Sequence, residues 1–103
     1  MVGVPEDIVP AAHYLAQNLP NPFNPMTEIR FGVPEAGRAT LRIYDLSGRC
    51  VRNLINGEIL AAGHHRRIWQ GRDDRGQQLA SGIYFYRLVA GDYVATFKMT
   101  LIK

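Results

Sequence analysis

The sequence predicts an all-β fold, an antiparallel sandwich of six or seven strands entered by an extended proline-rich arm. Three features carry that expectation: apolar residues alternate with period two over most of residues 27–102, turn signals recur every 8 to 12 residues, and no segment holds a convincing helical period. A chain of 103 residues has room for one core, and 47% hydrophobic with 20% charged residues is the composition of a globular domain.

Residues 1–25 contain Pro5, Pro10, Pro20, Pro22 and Pro25. Proline fixes φ and donates no hydrogen bond, so this stretch reads as a linker running into a domain that begins at residue 26. Within it, residues 8–17 form either a helical turn or an extended segment laid on the domain. Ile29, Phe31 and Val33 then alternate with Glu28, Arg30 and Gly32, the pattern of a half-buried strand. A turn over residues 34–37 leads to a second strand at 39–45, with Leu41 and Ile43 inward. Residues 46–49 form a hairpin loop in which Gly48 supplies a positive φ. A third strand over 50–55 ends at the Asn56-Gly57 turn signal, and a fourth, 64–69, carries one plainly buried end at Trp69 and reads as near an edge. The polar loop 70–81 is long enough to cross between two sheets. Residues 83–89 are apolar or aromatic on both faces apart from Arg87, the mark of a strand central in its sheet. Gly91-Asp92 closes a two-residue hairpin, and the last strand returns with Tyr93, Ala95, Phe97, Met99 and Leu101 on one face.

Chemistry is sparse in this sequence. The net charge of +3 comes from ten arginines and two lysines against nine acids, and the basic residues are scattered; a nucleic-acid footprint needs a clustered stripe, so no nucleic-acid partner is expected. Cys50 is the only cysteine, which excludes an internal disulfide and a cysteine-based zinc site. His64 and His65 are adjacent and point to opposite faces of a strand, poor geometry for a shared metal. Asp73 and Asp74 beside Gly76 lack the alternating acids of a calcium loop, so a turn stabilised by Asp side chains is the first reading and calcium the second; no other cofactor is expected. Ser47 and Ser81 sit in glycine turns without the surroundings of a nucleophile. The strand aromatics belong first to the core and only secondarily to a glycan site. No catalytic residue is assigned. The chain has no basic, apolar leader at its start and no apolar run near 18 residues, so it is not expected to span a membrane. The linker-like start favours a piece of a longer protein.

Several blocks recur together: Gln17-Asn18-Leu19-Pro20-Asn21-Pro22-Phe23-Asn24-Pro25, Tyr44-Asp45-Leu46-Ser47-Gly48-Arg49, Trp69-Gln70-Gly71-Arg72-Asp73-Asp74-Arg75-Gly76, Ala80-Ser81-Gly82-Ile83-Tyr84-Phe85-Tyr86-Arg87-Leu88 and Lys98-Met99. In this order and spacing the stretch from residue 17 to 103 resembles the type A C-terminal sorting domain of the type IX secretion system. Its motif positions here are Asn21, Pro22, Phe23, Asn24, Pro25, Trp69, Gly71, Asp73, Gly76, Gly82 and Tyr84. All blocks but the Asn-Pro-Phe-Asn-Pro entry are also similar to the immunoglobulin-like domain of the flagellar hook-capping protein, which implies an immunoglobulin-like sandwich. Two positions depart from the pattern: Gln70 stands where an Asp usually follows the Trp, and Arg67 where an apolar residue is usual.

The resemblance implies a non-catalytic address. Such a domain ends its polypeptide, follows a covalently linked cargo, is recognised by outer-membrane secretion machinery, and places the protein at the cell surface or outside the cell by way of the periplasm. Recognition is expected at the C-terminal strand and two hairpins, with Gly48, Gly91, Asp92, Lys98 and Lys103 as candidates, because an exposed sheet edge offers backbone donors and acceptors to a partner strand. The alternative is a self-assembling sandwich, a filament or appendage subunit whose proline-rich arm completes a neighbour's sheet.

Overall fold

The computed structural model describes residues 9–103, so Pro5 and the rest of 1–8 lie outside the described residues. Two antiparallel sheets face each other. One has the order β1-β2-β5, formed by Tyr14–Leu15, Thr27–Val33 and Gly63–Trp69. The other has the order β4-β3-β6-β7, formed by Cys50–Leu60, Gly37–Tyr44, Gly82–Ala90 and Tyr93–Leu101. There is no helix among the described residues, and hence none long and apolar enough to cross a membrane. β4 pairs with β3 rather than β5, so it belongs to the second sheet of an immunoglobulin-like sandwich.

The period-two pattern builds the core directly. Ile29, Phe31, Leu41, Ile43, Tyr86, Leu88 and Met99 alternate with exposed or half-exposed neighbours, save Gly32, which Tyr14 covers, and meet between the sheets with essentially no solvent exposure. β6 is interior to its sheet, between β3 and β7, as its sequence requires. Its other face is only partly covered: Ile83 and Val89 keep over a third of their surface exposed. β5 is an edge strand, and the 70–81 loop crosses from one sheet to the other, both as expected.

Asn56-Gly57 is not a turn. β4 runs through it to Leu60, and Gly57, at φ 66°, is an unpaired extra residue between Asn56↔Thr40 and Glu58↔Ala39. A glycine in the left-handed region serves a β-bulge as well as a hairpin, which is why the dipeptide misleads. Two further register shifts place Leu54 and Val51 as extra residues against β3.

The proline-rich segment, over its described part, lies in the sandwich. Tyr14 and Leu15 pair with Gly32 and Phe31, Leu19 pairs with Glu28, and Phe23 then crosses to the other sheet to pair in parallel with Leu101. Of the two readings of residues 8–17, the extended segment laid on the domain is the one present over its described residues. Tyr14 lies so closely over Gly32 that a Cβ there would collide with its ring.

Candidate functional site

The motif residues converge on one end of the sandwich. Trp69, at the end of β5, is 1% exposed and donates its indole N–H to the Arg72 carbonyl at 2.8 Å. Its ring lies 5.6 Å from Phe23 and 5.4 Å from Tyr84, centroid to centroid. Tyr84 in turn donates its hydroxyl to the Ala80 carbonyl at 2.7 Å, fastening the crossing loop to β6. Gly71, at φ 69°, lets the chain pass against the Leu101 side chain, 3.3 Å from where a Cβ would stand. Phe23, Trp69, Gly71, Tyr84 and Leu101 therefore form one plug that joins the entry segment, β5, β6 and β7.

Asp73 and Gly76 build the turn inside the crossing loop. Asp73 Oδ1 accepts the N–H groups of Arg75 and Gln77, each at 2.9 Å, and the Gly76 N–H returns to the Asp73 carbonyl with φ 81°. The hairpin at 45–49 repeats this plan: Asp45 Oδ1 accepts from Ser47 and Arg49, and the Gly48 N–H returns to the Asp45 carbonyl. Both are Asp-x-x-Gly turns in which the carboxylate replaces a missing backbone acceptor and the glycine takes the left-handed φ. The Ser47 hydroxyl and the Arg49 N–H hold the Asp45 carboxyl below the usual range.

Asp74 does a different job. Its carboxylate accepts the Asn53 N–H at 3.0 Å, the Arg52 guanidinium at 2.9 Å and the Asn53 amide at 3.1 Å. The Asn53 N–H and the Arg52 guanidinium lower its pKa, so it is charged at neutral pH and clamps the crossing loop to the outer edge of β4. Asp73 Oδ1 and both Asp74 carboxylate oxygens accept N–H groups, and no group of three His, Cys, Asp or Glu gathers among the described residues.

The entry segment occupies part of the β7 edge. The Phe23 N–H donates to the Thr100 carbonyl and the Ile102 N–H to the Phe23 carbonyl, both at 3.0 Å. Asn21 Oδ1 accepts the Thr100 N–H at 3.0 Å, and the Gln17 amide reaches the Lys98 carbonyl at 2.8 Å. Backbone groups alternate in direction along an antiparallel strand, and β7 is in unbroken register with β6, so Val94, Thr96, Lys98 and Thr100 point theirs away from β6. From Lys98 to Ile102 these groups are largely taken by the entry segment; at Val94 and Thr96 they face outward without a strand partner among the described residues.

Behind this edge lies a polar network that sequence reasoning missed. Asn18 is fully buried, and its amide donates to Thr27 Oγ1 at 3.0 Å and to the Pro20 carbonyl at 3.1 Å. Its backbone N–H donates to the Tyr86 hydroxyl at 2.8 Å, which itself donates to the Ala16 carbonyl at 2.7 Å. Burial pushes the Tyr86 pKa up to about 12, so it keeps the proton it donates. The only signal available in the sequence was a tyrosine at an inward position of a central strand, which needs a partner for its hydroxyl.

Of the recognition candidates, Gly48 and Lys103 lie at the motif end, while Gly91 and Asp92 lie at the opposite end of nine-residue β7, about 30 Å away at strand rise. Gly91, at φ 60°, opens the β6–β7 hairpin as expected. Lys98 is exposed on the outer face of the sheet.

Among solved structures, the chain is similar to dimeric latent PorU from Porphyromonas gingivalis, with a TM-score of 0.66 and 21% identity over 89% of this chain and 10% of that one. It is similar to FlgD from P. aeruginosa, with a TM-score of 0.56 and 21% identity over 73% of this chain and 58% of that one. A third is PorZ of P. gingivalis, described as an essential bacterial surface component of the type IX secretion system, with a TM-score of 0.57 and 18% identity over 88% of this chain and 11% of that one. The chain thus spans only a part of each of these proteins, and at these identities the likeness establishes the fold. Comparison with curated proteins gives no match. The model of the FlgD Ig-like domain matches residues 26–93, well over half of the sequence, and the chain belongs to that family.

Proposed function

We propose that the chain is a non-catalytic C-terminal sorting domain of the type IX secretion system, carrying a cargo across the outer membrane to the cell surface or the medium. One observation carries the reading. The two portions outside the FlgD-like match, residues 9–25 and 94–103, hydrogen-bond to each other along one edge, through Asn21, Phe23, Thr100 and Ile102. The two portions outside the match thus meet in a single composite edge that ends next to Lys103.

Other features support the same reading. The sorting-domain resemblance includes the Asn-Pro-Phe-Asn-Pro entry, and the likenesses to PorU and PorZ span 89% and 88% of this chain against 73% for FlgD. The motif residues hold the plug, the crossing loop and the entry segment in place, so they act by shaping the edge rather than by chemistry. The self-assembly alternative needs the entry segment available to a neighbour, whereas its described part is engaged in its own sandwich.

The test is export of a periplasmic reporter carrying residues 1–103 at its C-terminus, in a bacterium with type IX machinery, beside a fusion lacking residues 94–103. The intact fusion is expected on the surface and the truncated one in the periplasm. Because the truncation can unfold the domain, Asn21→Ala and Lys103→Glu fusions with unchanged melting temperatures are compared as well. Retention of a folded, intact fusion in the periplasm refutes the sorting role.

A further inference from the structure

Four of the ten arginines form ion pairs among the described residues. Arg30 and Arg66 share Glu28, Arg49 pairs with Asp45, and Arg52 with Asp74. Arg42 and Arg87 are two of the six that form none among the described residues. They stand directly opposite each other on the two central strands of the four-stranded sheet, on its outer face, where the Cα atoms of a hydrogen-bonded pair lie about 5.5 Å apart. Arg42 donates to the neutral side-chain oxygens of Asn53 and Asn56, at 2.7 and 3.3 Å, and the Arg87 side chain has no hydrogen bond or ion pair among the described residues. None of the residues that β3, β6 and β7 turn outward is acidic.

Like charges directly opposite each other in a sheet destabilise it. The pair is also not isolated: Lys98 stands on the neighbouring row, across from Phe85 and Tyr44, and Val89 and Val94 form the row on the other side. Phe85 and Tyr44 are half-buried and the two valines exposed. Arginine and aromatic side chains with apolar neighbours are the composition of the centre of a protein interface, and Asp74, which reaches Arg42's partner Asn53, is taken up by Arg52 and Asn53.

We propose that this face docks an acidic segment of a partner protein, with its carboxylates between Arg42 and Arg87 and near Lys98, and its apolar side chains on Phe85 and Val94. Arg87, whose side chain makes no hydrogen bond or ion pair among the described residues, can offer a carboxylate bidentate hydrogen bonds, while Arg42, held toward Asn53 and Asn56, adds positive charge beside it. A long polyanion is a poorer fit, because the cations form one cluster rather than a track and the apolar rows would be left idle. A second copy in the same orientation would set arginine on arginine.

The test is an NMR titration of the 103-residue chain with an eight-residue synthetic peptide that alternates glutamate with phenylalanine and leucine. Shifts are expected at residues 42–44, 85–89 and 94–98, with affinity falling by about tenfold or more when glutamine replaces glutamate or in Arg87→Gln, the loss of one charge-assisted contact. Arg87→Gln is expected to melt no lower than the parent, since it removes repulsion; a purely structural arginine would melt lower when replaced. Absent binding at millimolar peptide, shifts elsewhere, equal binding of the neutral peptide, or equal competition by heparin each overturn the proposal. No secretion machinery takes part, so this result and the export result stand or fall separately.

Discussion

Tyr86 shows how much one hydroxyl organises. It satisfies both the Asn18 N–H and the Ala16 carbonyl, and so holds the entry segment against the core. Tyr86→Phe keeps the ring but strands both groups, an expected loss of about 1–3 kcal/mol in urea unfolding, with no change in the m-value. A loss below the error of the fit would mean that the network is not holding the segment. The Asp turns make a second prediction. Asp45 and Asp74 have lowered pKa values, so their contribution is present above the ordinary carboxylate pKa of about 3.9 and is lost as pH falls through their folded values. Melting temperature should therefore drop on acidification below about pH 4, and Asp74→Asn, already without its charge, should show a shallower drop. Trp69 as a buried anchor was legible in the sequence from its place at a strand end. Asn18 was not, because its partners Thr27 and Tyr86 come from other strands, and alternation says nothing about which polar side chain will be enclosed.

The strands differ in how they protect their edges. β4 carries three bulges and is clamped by Asp74; the C-terminal half of β7 is covered by residues 17–23. Irregularity and cover both prevent unwanted pairing. At Thr96 the edge is open and its N–H points outward, whereas the Phe97 N–H points to β6. Thr96→Pro should therefore fold and melt close to the parent, while Phe97→Pro removes a ladder bond and the ring that packs on Tyr86, with loss of the cooperative transition. Equal damage from both, read by circular dichroism melting, would contradict the assigned direction of the edge groups. Strands with strict alternation, such as Thr27–Val33 and Tyr93–Leu101, were readable nearly to the residue. Cys50–Leu60 was not, since each bulge resets the alternation and Asn56-Gly57 carries a turn signature at a bulge.

At the scale of the whole molecule, the entry segment links the two sheets, pairing first with β2 and then with β7. Its prolines made it look like an arm ahead of a domain, because composition reports the absence of regular structure and not the burial of the one phenylalanine among them. Phe23 is 1% exposed against Trp69. Loss of such a side chain alone costs about 3–5 kcal/mol, a large share of the roughly 5–15 kcal/mol that holds a small domain. A chain of residues 26–103 should therefore melt far below the full chain or without a cooperative transition; an unchanged melt would make the segment an ornament on an autonomous body.

The central claim is that this body and its composite edge are read as an address by type IX machinery. The most direct measurement is protease accessibility of a reporter fused to residues 1–103, in intact cells of matched strains with and without a working type IX translocon. The account predicts a reporter digested from the surface of the first strain and protected in the periplasm of the second. Equal accessibility in both strains, or protection in both with a folded domain, would contradict it.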